Sequence, residues 1–224
     1  MSRSNSATEP RARLSQERVL RAAVALAARD GIDSLTMRKL GDELGAGAMS
    51  LYHHVPNKEQ LLDGMVDIVF SEIEPPPTDV EWKTAMRTRA LSTLEVLARH
   101  PWAIGLMEGR TSHGPANLSL HNAVLGCLRA AGFSLETTVH AYSVLDAYIY
   151  GFALQQRDMS SENADDFAAE AQRQMHEYEA VLAEYPHLVE VVGGYVAEAG
   201  YDYATEFVFG LDLILDGLDR LRGT

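Results

Sequence analysis

Apolar residues along this chain recur at three- and four-residue spacing, and no segment alternates apolar and polar positions over a strand's length. Val19, Leu20, Ala23, Leu26 and Ala27 fall on one side of a helix that Ser15 can cap and Gly31 can stop. A second, short helix opens at Thr36, with Met37, Leu40 and Leu44 as its stripe. The turn Gly45-Ala46-Gly47 leads into Ala48–His54, room for only about two helical turns. Pro56 and Asn57 start a longer helix running to about residue 73. Its apolar face is Leu61, Leu62, Met65, Val66, Val69 and Phe70, and Asn57 with Gln60 resembles a capping box. Pro75-Pro76-Pro77 cannot be helical and breaks the pattern. Beyond it the spacing predicts helices over about 79–99, 101–109, 115–131, 134–157, 164–185 and 203–222, and allows a short packed helix over 188–192. Gly114-Pro115, Gly132, Ser134 and Pro186 stand where starts and stops are needed. The expected fold is all-α, with about nine or ten helices. Residues 1–14 read as a disordered tail, 15–62 as a small three-helix domain, and 63–224 as a larger helical domain joined to it by the helix from 57.

Composition changes this picture little. Of 224 residues, 46% are hydrophobic and 23% charged, as in ordinary globular proteins. The longest apolar runs, Ala141–Leu154 and Phe207–Leu221, contain Asp146, Asp212 and Asp216 and fall short of membrane-spanning length, so no membrane partner is expected. The first eighteen residues are polar, unlike a secretory signal, which makes the cytoplasm the expected address. Cys127 stands alone, so no disulfide can form within the chain, and it reads as packing.

Charge is more informative once divided. The net charge of −13 splits into nine Lys/Arg against seven Asp/Glu in residues 1–62 (+2) and ten against twenty-five in residues 63–224 (−15). A mildly basic head on an acidic body can approach phosphate in one orientation only.

Two short helices joined by a Gly-containing turn, braced by a third, make a helix-turn-helix. Its second helix must bury one side, which Leu51 and Val55 can do against Leu40 and Leu44, and offer the other to DNA. Ser50, Tyr52 and His54 supply polar groups for bases and phosphates, while Ala48 and Met49 suit thymine methyls. Lys58, opening the next helix beside free backbone N–H groups, suits a phosphate oxygen, and Arg38 can reach a guanine edge or a phosphate. Each also has a blander reading, as packing or as solvated charge. His53 and His54 are adjacent, a poor spacing for a helical zinc site. No metal and no cofactor are expected. The chain lacks a Gly-rich phosphate loop, a nucleophile elbow and a His-Glu-x-x-His helix, which argues against an enzyme.

The stretch Thr36–Leu62, TMRKLGDELGAGAMSLYHHVPNKEQLL, resembles the DNA-binding signature of the tetracycline-repressor (TetR) family: a Thr-x-Arg-x-Leu helix, a Leu-Tyr-x-His turn and Asn-Lys-x-x-Leu-Leu, without a gap. The resemblance implies DNA contact by Arg38, Ser50, Tyr52, His54 and Lys58. Gly47 and Ala48 stand where relatives often have larger or polar residues, which implies sparse base readout at the start of the recognition helix.

In the body, 134–157 and 203–222 are apolar on nearly all sides, so each must be buried twice. Either they form a four-helix interface between two copies, or one is a central helix within a single chain. The interface candidates are Tyr148, Gly151, Phe152, Phe207, Gly210, Leu211, Ile214, Gly217 and Leu218. These two segments are also similar to helices of the tetracycline-repressor body, which implies that they dimerise and that a ligand pocket lies nearby. Trp102, Met107, His121, Tyr142, Asp146 and Ile149 are the pocket candidates, and the apolar ones among them read equally well as core. The positions that hold a magnesium chelate in the tetracycline repressor fall on Glu74, Gly105 or Met107, and Arg89, which do not reproduce that chemistry. The expected partners are therefore a palindromic DNA operator, a second copy of the chain, and a mostly apolar or aromatic effector. The expected function is a repressor released from its operator by that effector. A helical binding module that has lost DNA recognition is the alternative.

Overall fold

The computed structural model describes residues 14–109, 114–160, 173–174, 176–196 and 203–222. Among them every regular element is helical: α1 (Gln16–Asp30), α2 (Met37–Leu44), α3 (Ala48–Tyr52), α4 (Lys58–Glu72), α5 (Trp82–Arg99), α6 (Ile104–Gly109), α7 (Pro115–Ala130), α8 (Leu135–Ser160), α9 (Glu179–Leu182), α10 (Pro186–Val191) and α11 (Tyr203–Asp219). The expected all-α class is what the chain adopts. The tail before Leu14, and residues 164–172 and 175 of the helix expected over 164–185, lie outside the described residues.

The chain divides into two compact units: Met1–Glu72 with Gly105–Leu118, and Ile73–Ile104 with Ser119–Thr224. In the first, α1 packs on both α2 and α4 through Val19, Ala23, Leu26 and Ala27, all at most 2% exposed. Caps fix where these helices begin. Ser15 Oγ accepts from Arg18 N–H (3.3 Å), Thr36 Oγ1 from Lys39 N–H (3.2 Å), and Asn57 Oδ1 from Gln60 N–H (2.8 Å). Each satisfies a donor that the first helical turn leaves free. Asp67 of α4 accepts the N–H groups of both Ala116 and Asn117 at 3.0 Å, which ties the start of α7 into this unit.

The second unit is built on α5, α7, α8 and α11. Met86 and Ala90, Val124 and Leu128, Leu145 and Ile149, and Phe207 and Leu211 meet in one core. Trp82 sets its edge-on ring 4.9 Å from that of Phe133, and its Nε1–H reaches Asp219 (3.3 Å). Lys83 pairs with Asp216 (3.0 Å) and Asp219 (3.3 Å), and Arg87 with Asp212. Because 83 meets 216 while 87 meets 212, these contacts set α5 and α11 antiparallel in a defined register.

Two boundaries differ from expectation. The helix expected from residue 79 begins at Trp82, because Glu81 is the cap and accepts from Lys83 N–H (2.9 Å) and Thr84 N–H (3.4 Å). Trp82 thus enters the core in the first turn while Val80 stays exposed. The segment expected as one helix over 101–109 starts with a 3₁₀ turn, Pro101–Ala103, before α6.

Candidate functional site

The N-terminal unit presents α3 by holding its inner side. Leu51 and Val55 are 0% and 1% exposed and Leu40 is fully buried, whereas Leu44 is only half-buried. Burying Leu51 and Leu40 contributes roughly 1.5–3 kcal/mol each. The turn between α2 and α3 is unusually tight. Gly45 adopts the left-handed conformation (φ 61°), and Ala46 N–H donates to Gly41 O at 2.9 Å. A Cβ on Gly41 would lie 2.7 Å from Ala46 O, so only glycine permits this approach. On the far side of α3, Met49 is 76% and Tyr52 42% exposed, with Ser50 exposed and Ala48 half-buried. His54, after the helix, is half-buried and His53 exposed. Gly47 is the N-terminal cap of α3, Arg38 is exposed on α2, and Lys58 is exposed as the first residue of α4. All eight DNA-contact candidates thus belong to one unit, and the larger side chains among them stand open to solvent except His54. Beside them, Arg29 binds Glu43 (3.1 Å) and Asp30 (3.0 Å), bracing α1 on α2. Hydrogen bonding and charge from Arg29 lower the pKa of the Glu43 carboxyl.

The residues proposed to meet an effector do not all share one environment. Met107 is half-buried in α6, in the first unit, while Trp102, His121, Tyr142, Asp146 and Ile149 belong to the second. Ile149 is 1% exposed inside the core cluster. Trp102 sets its ring 5.9 Å from that of His100, and its buried Nε1–H has no hydrogen-bond partner among the described residues. His121 and Tyr142 are joined through Nε2 and the phenol hydroxyl, with rings 4.8 Å apart. Asp146 accepts from Arg89 Nη1 at 2.7 Å. Arg89, at a position that resembles a chelate-holding one of the tetracycline repressor, is 3% exposed among Trp82, Met86, Thr93 and Val96 on the core face of α5, and its pairing with Asp146 is what sequence reasoning missed. Burial, and then the Asp146 charge, push the Tyr142 and Tyr150 phenols far above their usual pKa. Both remain neutral hydrogen-bonding groups.

The interface candidates separate by direction. Phe152, Phe207, Leu211 and Leu218 are buried in the unit's own core, and Ile214 is half-buried against it. Tyr148 stacks on Phe207 at 5.4 Å and donates to the Phe207 carbonyl (3.0 Å), and a Cβ on Gly210 would collide with the Tyr148 ring. All seven make contacts within the chain, and Tyr148, Gly210 and Ile214 remain half-buried there. Gly151 and Gly217 are exposed with open space around them. The outward apolar positions near them in sequence are Val144 on α8 (46% exposed) and Phe209 and Leu213 on α11 (63% and 60%).

Comparison with known proteins bears on both units. Residues 19–65 match the model for bacterial regulatory proteins of the tetR family, and residues 74–222 match the tetracyclin repressor-like C-terminal domain. The chain belongs to the TetR family. It is 34% identical over 224 residues to the HTH-type transcriptional repressor DrrR1 of Streptomyces coeruleorubidus, covering 95% of this chain and 80% of that protein. An HTH-type transcriptional regulator of Saccharopolyspora erythraea is 32% identical over 214 residues, covering 94% and 86%. Among solved structures, the TetR-family protein ActR of Streptomyces coelicolor in complex with actinorhodin superposes with a TM-score of 0.78 at 29% identity, covering 95% of this chain and 100% of that one. As a TetR-family member the chain is a ligand-responsive, DNA-binding transcriptional regulator rather than an enzyme. No helix among the described residues is long and apolar enough to cross a membrane.

Proposed function

We propose that this regulator acts as a homodimeric repressor that seats one α3 in each half of a palindromic operator and leaves it when a small aromatic effector binds the body. The observation that carries the reading is the two-sidedness of α3: Leu51 is fully buried while Met49 and Tyr52 on the same short helix are exposed. Such a helix is held by its neighbours and offers its remaining face to a groove. Arg38, Ser50, Tyr52, His54 and Lys58 then contact bases and phosphates, with Gly47, Ala48 and Met49 lying against the groove floor.

A symmetric dimer supports reading of two half-sites about one helical turn apart. Its proposed surface is the outward stripe of Val144 and Gly151 on α8 with Phe209, Leu213 and Gly217 on α11. Bulky apolar side chains this exposed mark an interaction surface, and the glycines allow close helix approach. Repression is supported by the name of DrrR1, and a small-molecule effector by the ligand held in ActR. Release requires the effector to bind the non-DNA-binding state more tightly. Such a protein works in the cytoplasm, at the nucleoid while bound.

Selection of bound sequences from a random duplex pool by the full chain tests the proposal. Enrichment of an inverted repeat is expected. Absence of any enriched sequence at low ionic strength would favour a helical binding module without DNA recognition.

A further inference from the structure

The buried polar chain of the second unit contains an unmet demand. Arg89 sits at a core position of α5, 3% exposed, and commits Nη1 to Asp146 at 2.7 Å. Its Nε–H is buried with no hydrogen-bond partner among the described residues. A donor left unpaired in a low-dielectric interior is costly, and an apolar residue of similar volume would pack there without that cost. Asp146 keeps 17% side-chain exposure, and Tyr142 and His121 are half-buried, so the polar chain reaches solvent at that end.

We propose that the Arg89–Asp146 pair is where this chain reads its effector, and that it selects an aromatic compound carrying a neutral carbonyl over one carrying a carboxylate. The proposal rests on the effector-responsive reading above and adds a chemical class to it. The charges decide the preference. Arg89 and Asp146 cancel, and the Tyr142 and Tyr150 phenols beside Asp146 stay neutral. A ketone, quinone or lactone oxygen can accept the free Nε–H while adding no charge. A carboxylate can accept the same bond but brings a second anion beside Asp146, where repulsion is weakly screened. The hydroxyl of Tyr142, tied to His121, offers a second polar point on the same side as Asp146. Asp146 thereby sets selectivity through charge, as a specificity residue for the ligand that Arg89 binds.

Removing Asp146's charge should invert the preference. In Asp146→Asn, Arg89 lacks a counter-ion and a carboxylate can supply it. The test uses the full-length protein and two near-isosteric probes, 2-acetylanthracene and anthracene-2-carboxylate, titrated by calorimetry with melting curves for every variant. Wild type should bind the ketone at least about tenfold more tightly. Asp146→Asn should favour the carboxylate, and Arg89→Met should lose both. Equal or tighter carboxylate binding by wild type overturns the proposal, as does an unchanged ratio in folded Asp146→Asn. If that variant does not fold, the wild-type ratio alone decides. Failure of wild type to bind either probe also overturns it. The broader effector reading is scored separately, by whether any compound in a general screen releases the operator duplex.

Discussion

Replacing Gly41 with alanine sets two physical effects against each other. Gly41 lies inside α2, where alanine normally stabilises a helix by about 0.5–1 kcal/mol. Here the new Cβ would stand 2.7 Å from Ala46 O and 3.4 Å from Ala48 N, backbone atoms that cannot swing away as a side chain would. Overpacking of that kind costs about 1–3 kcal/mol. The steric effect wins, with an expected net loss of about 1 kcal/mol and a displacement of α3 away from α2. Gly126, in the interior of α7, supplies the control: a Cβ there meets nothing within 4 Å. Gly126→Ala should therefore gain about 0.5–1 kcal/mol. Urea unfolding at fixed protein concentration would read both variants. Fluorescence anisotropy with operator duplex would read the displacement as an affinity loss of about tenfold or more in Gly41→Ala, equivalent to about 1.4 kcal/mol. Equal stabilisation by the two substitutions, with operator affinity intact, would refute the packing of α3 on α2 described above.

Other consequences are open to direct measurement. Tyr52→Ala and Lys58→Ala should each weaken operator binding, and loss of a Lys58–phosphate contact should reduce the slope of log affinity against log salt by about 0.9; an unaltered double mutant would exclude both residues from the interface. Phe209→Glu with Leu213→Glu should convert dimers to folded monomers in light scattering, whereas Phe207→Ala should cost about 3–5 kcal/mol of stability, because Phe207 is fully buried within the chain. Arg29 holds the Glu43 carboxyl below its ordinary pKa of 4.5, so the pair's contribution is complete above that value and fades as acid protonates the folded form. Glu43→Gln should lower stability slightly at neutrality, the loss being small because the pair is exposed, and the difference from wild type should vanish as the pH falls well below 4.5.

The DNA-reading unit was legible in the sequence because its determinants are local. Ser15, Thr36 and Asn57 each cap a helix within three residues, and Gly45 shapes the turn between two stripes that already face each other. The body resisted the same reasoning for a definite cause. In α11, Phe207, Leu211, Leu215 and Leu218 are apolar and face inward, yet Phe209 and Leu213 are equally apolar and face outward. With apolar residues on both sides, periodicity cannot tell core from interface. Only the partners do so: Tyr148 on Phe207, and the acidic row Asp212, Asp216 and Asp219 against Lys83 and Arg87. The Arg89–Asp146 pair was hidden likewise, because its members are 57 residues apart. A lone arginine on an apolar face announces a partner without naming it.

Hydroxyl-radical footprinting of the purified protein on a duplex recovered by random selection tests the central claim most directly. Two chains each inserting one α3 should protect two patches on one face of the duplex, centred about 34–36 Å apart, and an excess of the natural effector should erase both together. A single protected patch, or two that respond to effector independently, would contradict paired recognition by a coupled dimer.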